Sequence, residues 1–413
     1  MTSLSAQTQS VLRHPNVLRF IGGRFLASLG AQIQVVAVGW QMYDITGDPL
    51  DLGLIGLSQF IPFVTLILPA GHAADNYNRA RIVTTCYLTS SMCALALLIM
   101  TLRGLLSAWP IFLIMMALGA SRAFSMPASQ SVLPNLVPAD AFRRAVALNS
   151  SSQQVATIIG PAVGGVLYLA GPSVVYATVM TLALTAALLM FQVRGASQPV
   201  STTREPLSLE TLLSGLKFVR SRPVVLGAIS LDLFAVMLGG ATALMPMFAS
   251  DILHVGPTGL GLLRTAPGIG AAACGLVLAL SPISRHVGSW MFGGVAMFGV
   301  ATIVFGLSTS FYVSMAALVV LGAADMVSVY VRHLLVQLDT PDYIRGRVSA
   351  VSSVFIGASN ELGDFESGVM ARWWGAVRAV LIGGVATLVV TGLWTRLFPV
   401  LWKMQEFPQQ QKK

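Results

Sequence analysis

Twelve mostly apolar stretches, each long enough to cross a bilayer as a helix, recur along this chain. They fall at 17–43, 52–74, 81–102, 109–128, 142–169, 173–193, 223–249, 257–280, 287–307, 311–336, 346–370 and 376–401. A spanning helix needs about 20 such residues, and in lipid every backbone polar group must pair within its own segment or barrel. The pattern predicts an all-α integral membrane protein with 12 transmembrane helices. Composition points the same way, because only 10% of residues are charged, against about 25% in a soluble chain. Charge that sparse does not cover a 413-residue globule in water.

Charge placement tests the count. With both termini inside, the inner segments hold Arg13, Arg19, Arg79, Arg81, Arg143, Arg144, Arg194, Arg204, Lys217, Arg220, Arg222, Arg285, Arg345, Arg347, Lys403, Lys412 and Lys413. The outer segments hold only Arg103, Arg372 and Arg378, beside Asp44, Asp48, Asp51 and Asp251. This is the bias that orients membrane proteins, and a wrong count would scramble it. Both ends are therefore expected in the cytoplasm. The first sixteen residues are polar, so no cleaved leader is expected.

Several function classes fall away. The net charge of +9 comes from basic residues scattered singly or in pairs, with no face to follow a phosphate backbone, so nucleic acid is not an expected partner. Cys86, Cys93 and Cys274 lie in apolar stretches without ligand spacing, and His14, His72, His254, His286 and His333 are dispersed. There is no Gly-x-Ser-x-Gly elbow and no phosphate-binding glycine loop with its Lys. Neither an enzyme nor a bound cofactor or metal is expected. An ion channel would need a filter sequence that is not evident.

The halves echo each other. Asp140, Arg143, Val146, Ser150 and Ser151 at the start of span five match Asp342, Arg345, Val348, Ser352 and Ser353 at the start of span eleven, all at offset 202. Gly56 and Pro62 in span two match Gly261 and Pro267 in span eight. Asp140 and Asp342 have the right position to cap their helices. Two matches in the same order imply a six-span unit repeated in parallel, as in two-lobed transporters. The expected division is 1–193 as one six-helix lobe, 194–222 as a cytoplasmic linker and 223–413 as the other lobe. Within the linker, Leu209, Leu212, Leu213 and Leu216 recur at helical spacing, which fits a helix in the inner interface or a partly ordered connection.

At this point the residues resemble a family. Gly71-His-Ala-Ala-Asp75-Asn-Tyr-Asn-Arg79-Ala-Arg81 resembles the inner-loop motif of the major facilitator superfamily, which runs Gly-x-x-x-Asp-(Arg/Lys)-x-Gly-Arg-(Arg/Lys). Asn76 and Asn78 replace a basic residue and a Gly; Asn tolerates the left-handed conformation. More specific are Arg122-Ala-Phe-Ser-Met-Pro127-Ala, Gly160-Pro161-Ala-Val-Gly164-Gly165 and Arg345-Gly-Arg347-Val-Ser-Ala with Gly357-Ala-Ser-Asn360-Glu361-Leu-Gly363-Asp364-Phe-Glu366. These are similar to the subgroup holding the enterobactin exporter and macrolide-type efflux pumps. The resemblance implies the two-lobed major facilitator fold in a bacterial inner membrane, with export of a small molecule driven by protons and a monomer sufficing. It also implies that spans one, four, seven and ten line a central cavity.

Ionisable groups at membrane depth usually face a cavity or a partner. Here they are Arg24, Arg122, Asp232, Arg264, Asp325, Glu361, Asp364 and Glu366. Arg24, Ser28 and Gln32 form one polar stripe, and Ser353, Gly357, Asn360, Glu361 and Asp364 another, with Glu366 turned away. Glu361 falls near the midplane, where neutral and charged forms are both reachable. Glu361 or Asp364 is the expected carrier of a coupled proton, with Asp232 and Asp325 as rivals, and ion pairing with Arg24 or Arg264 as the structural alternative. Arg24, Gln32, Arg122, Arg264 and Asn360 are candidate cavity residues. Gly71, Asp75, Arg79, Arg81, Gly160, Pro161, Arg345 and Arg347 are candidate gate residues, with plain packing or a solvated loop as the alternative. Arg332-His333 reads as a headgroup or gate contact. Trp290, Trp373, Trp374, Trp394 and Trp402 read as interfacial anchors. The expected activity is export of an amphipathic solute by alternating access with proton antiport. A lipid flippase or a uniporter on the same fold stays open.

Overall fold

The computed structural model describes residues 14–137, 139–194 and 209–408. The side chains of 139, 140, 209–213, 215, 342, 343, 345, 346, 349, 350 and 353 lie outside that description. The described residues form only helices and their connections, in the order α1 (Pro15–Thr46), α2 (Pro49–Asn76), α3 (Arg79–Leu102), α4 (Ala108–Leu136), α5 (Ala139–Tyr168), α6 (Pro172–Phe191), α7 (Leu209–Ser221), α8 (Pro223–Leu238), α9 (Met245–Met247), a π turn Phe248–Ile252, α10 (Gly256–Leu280), α11 (Val287–Leu307), α12 (Phe311–Asp339), α13 (Asp342–Trp374), α14 (Ala376–Leu397) and α15 (Pro399–Trp402). Nine of these are long and apolar enough to cross a membrane by length and composition. The other three spans depart from that standard for visible reasons. α5 and α13 are long but carry polar stripes, and span seven is broken between α8 and α9. The twelve-helix fold follows from all of them together.

The break corrects the uninterrupted span drawn at 223–249. α8 stops at Leu238, and Gly239–Leu244 form a turn before α9. A Cβ on Gly240 would lie 2.7 Å from the Gly363 carbonyl oxygen and 2.8 Å from Ser367 Oγ. Backbone therefore meets backbone here, while the Ala235 carbonyl keeps its helical bond from the Gly239 amide at 2.9 Å and accepts a second one from Thr387 Oγ1 at 3.2 Å.

The chain divides into two compact units, Met1–Thr46 with Ser58–Leu207, and Gly47–Leu57 with Ser208–Lys413. The second unit thus takes in the linker helix α7 and the first turns of span two. In the first unit α1 packs on α5 and α6, and α3 on α4 and α6. In the second, α8 packs on α13 and α14, and α11 on α12 and α14, so the same pairs of spans meet in each. Phe20, Val83, Val132 and Met190 centre one core; Leu231, Phe292, Leu335 and Leu401 centre the other. Outside, Val385, Val389, Leu393 and Leu397 expose one apolar stripe of α14, as a lipid-facing helix does.

Three local expectations are revised. α5 begins at Ala139 and α13 at Asp342 with Pro341 in the cap position, so Asp140 and Asp342 lie inside the first turn rather than at its cap. Asn78 is not left-handed. Its φ of −64° and ψ of 111° make it the cap of α3, its side chain accepting from the Arg81 amide at 3.2 Å. Trp394 is no surface anchor; it is 9% exposed, and its indole N–H donates to Ser230 Oγ at 3.0 Å.

Candidate functional site

The second unit gathers charge where span eleven passes the break in span seven. Asp364 on α13 accepts a hydrogen bond from Thr242 Oγ1 at 3.2 Å and another from the Ala243 backbone amide, both in the turn that follows α8. Arg264 on α10 interacts electrostatically with the same carboxylate, while its own Nε is buried without a hydrogen-bond partner. One turn nearer the start of α13, Glu361 comes so close to span two that a Cβ on Gly56 would stand 2.8 Å from its Oε2. Gly53 and Gly368 make the same crossing tight, since a Cβ on Gly53 would be 2.9 Å from the Asp364 carbonyl oxygen. Elsewhere on the stripe Asn360 is exposed and Gly357 has nothing within 4 Å of an added Cβ, so this part of the helix faces open space. The cluster thus joins two carboxylates, a guanidinium and a hydroxyl on three different spans.

The other carboxylates separate by partner. Asp232 on α8 is ion-paired with Arg332 on α12, both buried, and Ser328 Oγ donates to its other oxygen at 3.4 Å. Sequence leaves Arg24 or Arg264 as the ion-pair partner of such a carboxylate; for Asp232 the partner is Arg332. Asp325, two turns earlier on α12, has no hydrogen bond or ion pair among the described residues, and neither has Glu366.

In the first unit the stripe of α1 meets α5. Ser28 Oγ is hydrogen-bonded to Gln153 Oε1, and Gln32 lies over Gly160, where a Cβ would be 3.3 Å from its Cγ. A Cβ on Gly164 would be 2.9 Å from the Ile33 carbonyl oxygen, so the glycines around Pro161 allow α1 and α5 to touch along their backbones. The Arg24 guanidinium lies 5.8 Å from the Phe20 ring centre, and Arg122 lies 5.4 Å from that of Phe63. These are cation–π distances.

At the loop motif, Arg79 is buried, donating to the Ala74 carbonyl at 3.0 Å and the Ser131 carbonyl at 3.5 Å. It ties the ends of α2 and α4 together; Gly71 is also buried. Asp75 and Arg81 are exposed, and no ion pair joins Asp75 to Arg79 or Arg81. Arg347 donates to Ser214 Oγ at 3.2 Å and so fastens α13 to α7. The side chain of Arg345 lies outside the described residues. Sequence reasoning misses Thr242 and Gln153, and it takes Arg332 for a headgroup or gate contact, whereas the structure buries it against Asp232. Arg332 had a readable signal, a second charge at helical spacing from Asp325; Thr242 and Gln153 had none.

Comparison with known proteins covers nearly the whole chain. Residues 10–411 match the family model described as transmembrane secretion effector. The chain is 26% identical over 404 residues to the multidrug efflux pump Tap of Mycobacterium tuberculosis (strain ATCC 25618 / H37Rv), covering 93% of each chain. It is 25% identical over 380 residues to the enterobactin exporter EntS of Citrobacter koseri, covering 91% of this chain and 86% of that one. In fold it is similar to a bacterial homologue of the human lysosomal transporter Spinster, with a TM-score of 0.77, 14% identity, and 94% and 97% of the two chains covered.

Proposed function

Because the chain belongs to the transmembrane secretion effector family of the major facilitator superfamily, we propose that it exports a small amphipathic solute by alternating access, in exchange for protons. A multidrug pump and an enterobactin exporter among its relatives support the outward direction and a drug- or siderophore-like cargo. Their bacterial hosts support an inner-membrane location. Arg24, Arg122 and Arg264 favour cargo with negative charge beside its apolar part.

The observation that carries the coupling is Asp364, beside Arg264 and bonded to the turn that breaks span seven, with Glu361 one turn away on the same helix against Gly56. Protonating Asp364 would weaken its bonds from Thr242 and Ala243, because a hydrogen bond to a charged acceptor is the stronger kind. It would also remove the attraction on Arg264. A proton then binds one arrangement of the broken span better than the other, and only such differential affinity shifts a conformational balance. Asp232 is the weaker candidate, since Arg332 already neutralises it, while Asp325 is the rival without a described partner.

Everted vesicles carrying the chain test this by pH-dye quenching, with a catecholate siderophore and unrelated amphipathic drugs added in turn. One compound should dissipate the proton gradient, and Glu361→Gln or Asp364→Asn should lower that response at least tenfold at equal protein level. Full coupled flux in both variants overturns the assignment of the pair. A folded protein for which no compound moves protons points to uniport or lipid flipping, read in the same vesicles with fluorescent lipid probes.

A further inference from the structure

The first unit carries a cleft unrelated to the cluster on span eleven. It has a volume of about 670 Å³ and is lined by Pro15, Asn16, Arg19, Phe191, Gln192 and Arg194, where α1 begins and α6 ends. Arg19 is half-buried and positioned, donating to Asn16 Oδ1 at 3.3 Å and toward the Gln192 carbonyl at 3.5 Å. Asn16 Nδ2 donates to the Arg194 carbonyl at 3.1 Å, which fixes the turn that carries the second guanidinium. Among the described residues two arginines and no carboxylate line the cleft, and neither arginine has an ion-pair partner. The start of α1 brings the positive end of one helix dipole and the end of α6 the negative end of another, so the positive charge of the cleft comes from the two arginines.

What leads away from the cleft is apolar. Leu184, Leu188 and Phe191 recur on one face of α6 with exposures of 42, 54 and 73%, rising toward the cleft. They cover about 10 Å of helix at 1.5 Å per residue. A ligand that fits both parts carries an anionic head on a long apolar tail. We propose that this cleft binds the phosphate of an anionic phospholipid, with an acyl chain along Leu184, Leu188 and Phe191. Basic pockets of this kind between spanning helices recognise lipid headgroups. A soluble phosphate would use the arginines alone and leave the stripe idle.

Native mass spectrometry of the detergent-purified full chain tests the assignment, with phosphatidylglycerol and phosphatidylcholine at equal mole fraction and inorganic phosphate as competitor. The expected result is several-fold more phosphatidylglycerol than phosphatidylcholine retained, unaffected by phosphate. Arg19→Gln and Arg194→Gln should each reduce that excess at least threefold. Arg194 is exposed, so its variant should keep the wild-type elution profile even if Arg19→Gln disturbs folding. Equal retention of the two lipids by the wild-type chain overturns the proposal, as does an unchanged excess in folded Arg194→Gln. Full displacement by inorganic phosphate also overturns it, in favour of a soluble-anion site.

Discussion

Asp232 and Arg332 lie 100 positions apart and form a buried ion pair within one unit. A buried charge that loses its partner is costly, about 3–5 kcal/mol. Asp232→Asn should therefore lower the unfolding midpoint of the detergent-purified chain markedly, because Arg332 keeps its charge and its burial. The double variant Asp232→Leu with Arg332→Met should recover most of that loss, since apolar pairs of similar volume often replace buried ion pairs at little cost. If the double variant is as unstable as the single one, the pair serves packing that apolar side chains fail to supply. Asp325 gives the contrast. With no described partner to orphan, Asp325→Asn should leave the midpoint nearly unchanged, so a loss of transport in that variant would be functional.

At the scale of the element, glycine decides where helices touch, and it plays the same part in both units. Gly164 lets α5 meet the backbone of α1, and Gly363 lets α13 meet that of α8, where an added Cβ would lie 2.7 Å from the Met237 carbonyl oxygen. Gly363→Val should destabilise by roughly 1–3 kcal/mol or more, the usual cost of overpacking. Gly357→Ala, six residues earlier on the same helix, meets nothing within 4 Å and should be tolerated or mildly stabilising. Thermal unfolding of the two variants separates a close crossing from an open face, and equal destabilisation would refute the distinction. The break after Leu238 belongs to this scale as well. Gly239 and Gly240 were legible as residues, yet a glycine pair inside an apolar stretch reads equally well as a packing surface. What converts it to a break is the backbone of α13 arriving at Gly240, a contact more than a hundred positions away.

At the scale of the whole molecule, the chain is a multi-pass membrane transporter of the major facilitator superfamily, not an enzyme. Its orientation is a separate prediction, drawn from the sparse arginines of the expected outer segments. In a variant whose Cys86, Cys93 and Cys274 are replaced by Ala, a cysteine at Ser107 or Ser310 should react with an impermeant maleimide from outside intact cells. One at Tyr77 or Arg285 should react only in everted vesicles. The reverse pattern would invert the proposed topology. Twelve spans and the paired repeat were readable because lipid imposes a single rule on every segment, apolar length for about 20 residues with basic residues between; the boundaries were less so, since span four runs on to Leu136 and the helix of span seven stops at Leu238. The polar stripes of α1 and α13 were readable too, since helical spacing is a property of neighbours along the chain. Tertiary structure alone decided which charge meets which: Asp232 with Arg332, Asp364 with Thr242 and Arg264, Arg79 with carbonyls of its own lobe rather than with Asp75. It also decided that Asn78 caps a helix and that Trp394 is buried. Those outcomes depend on the rotation and close approach of helices far apart in sequence, which hydropathy and spacing along one segment do not encode.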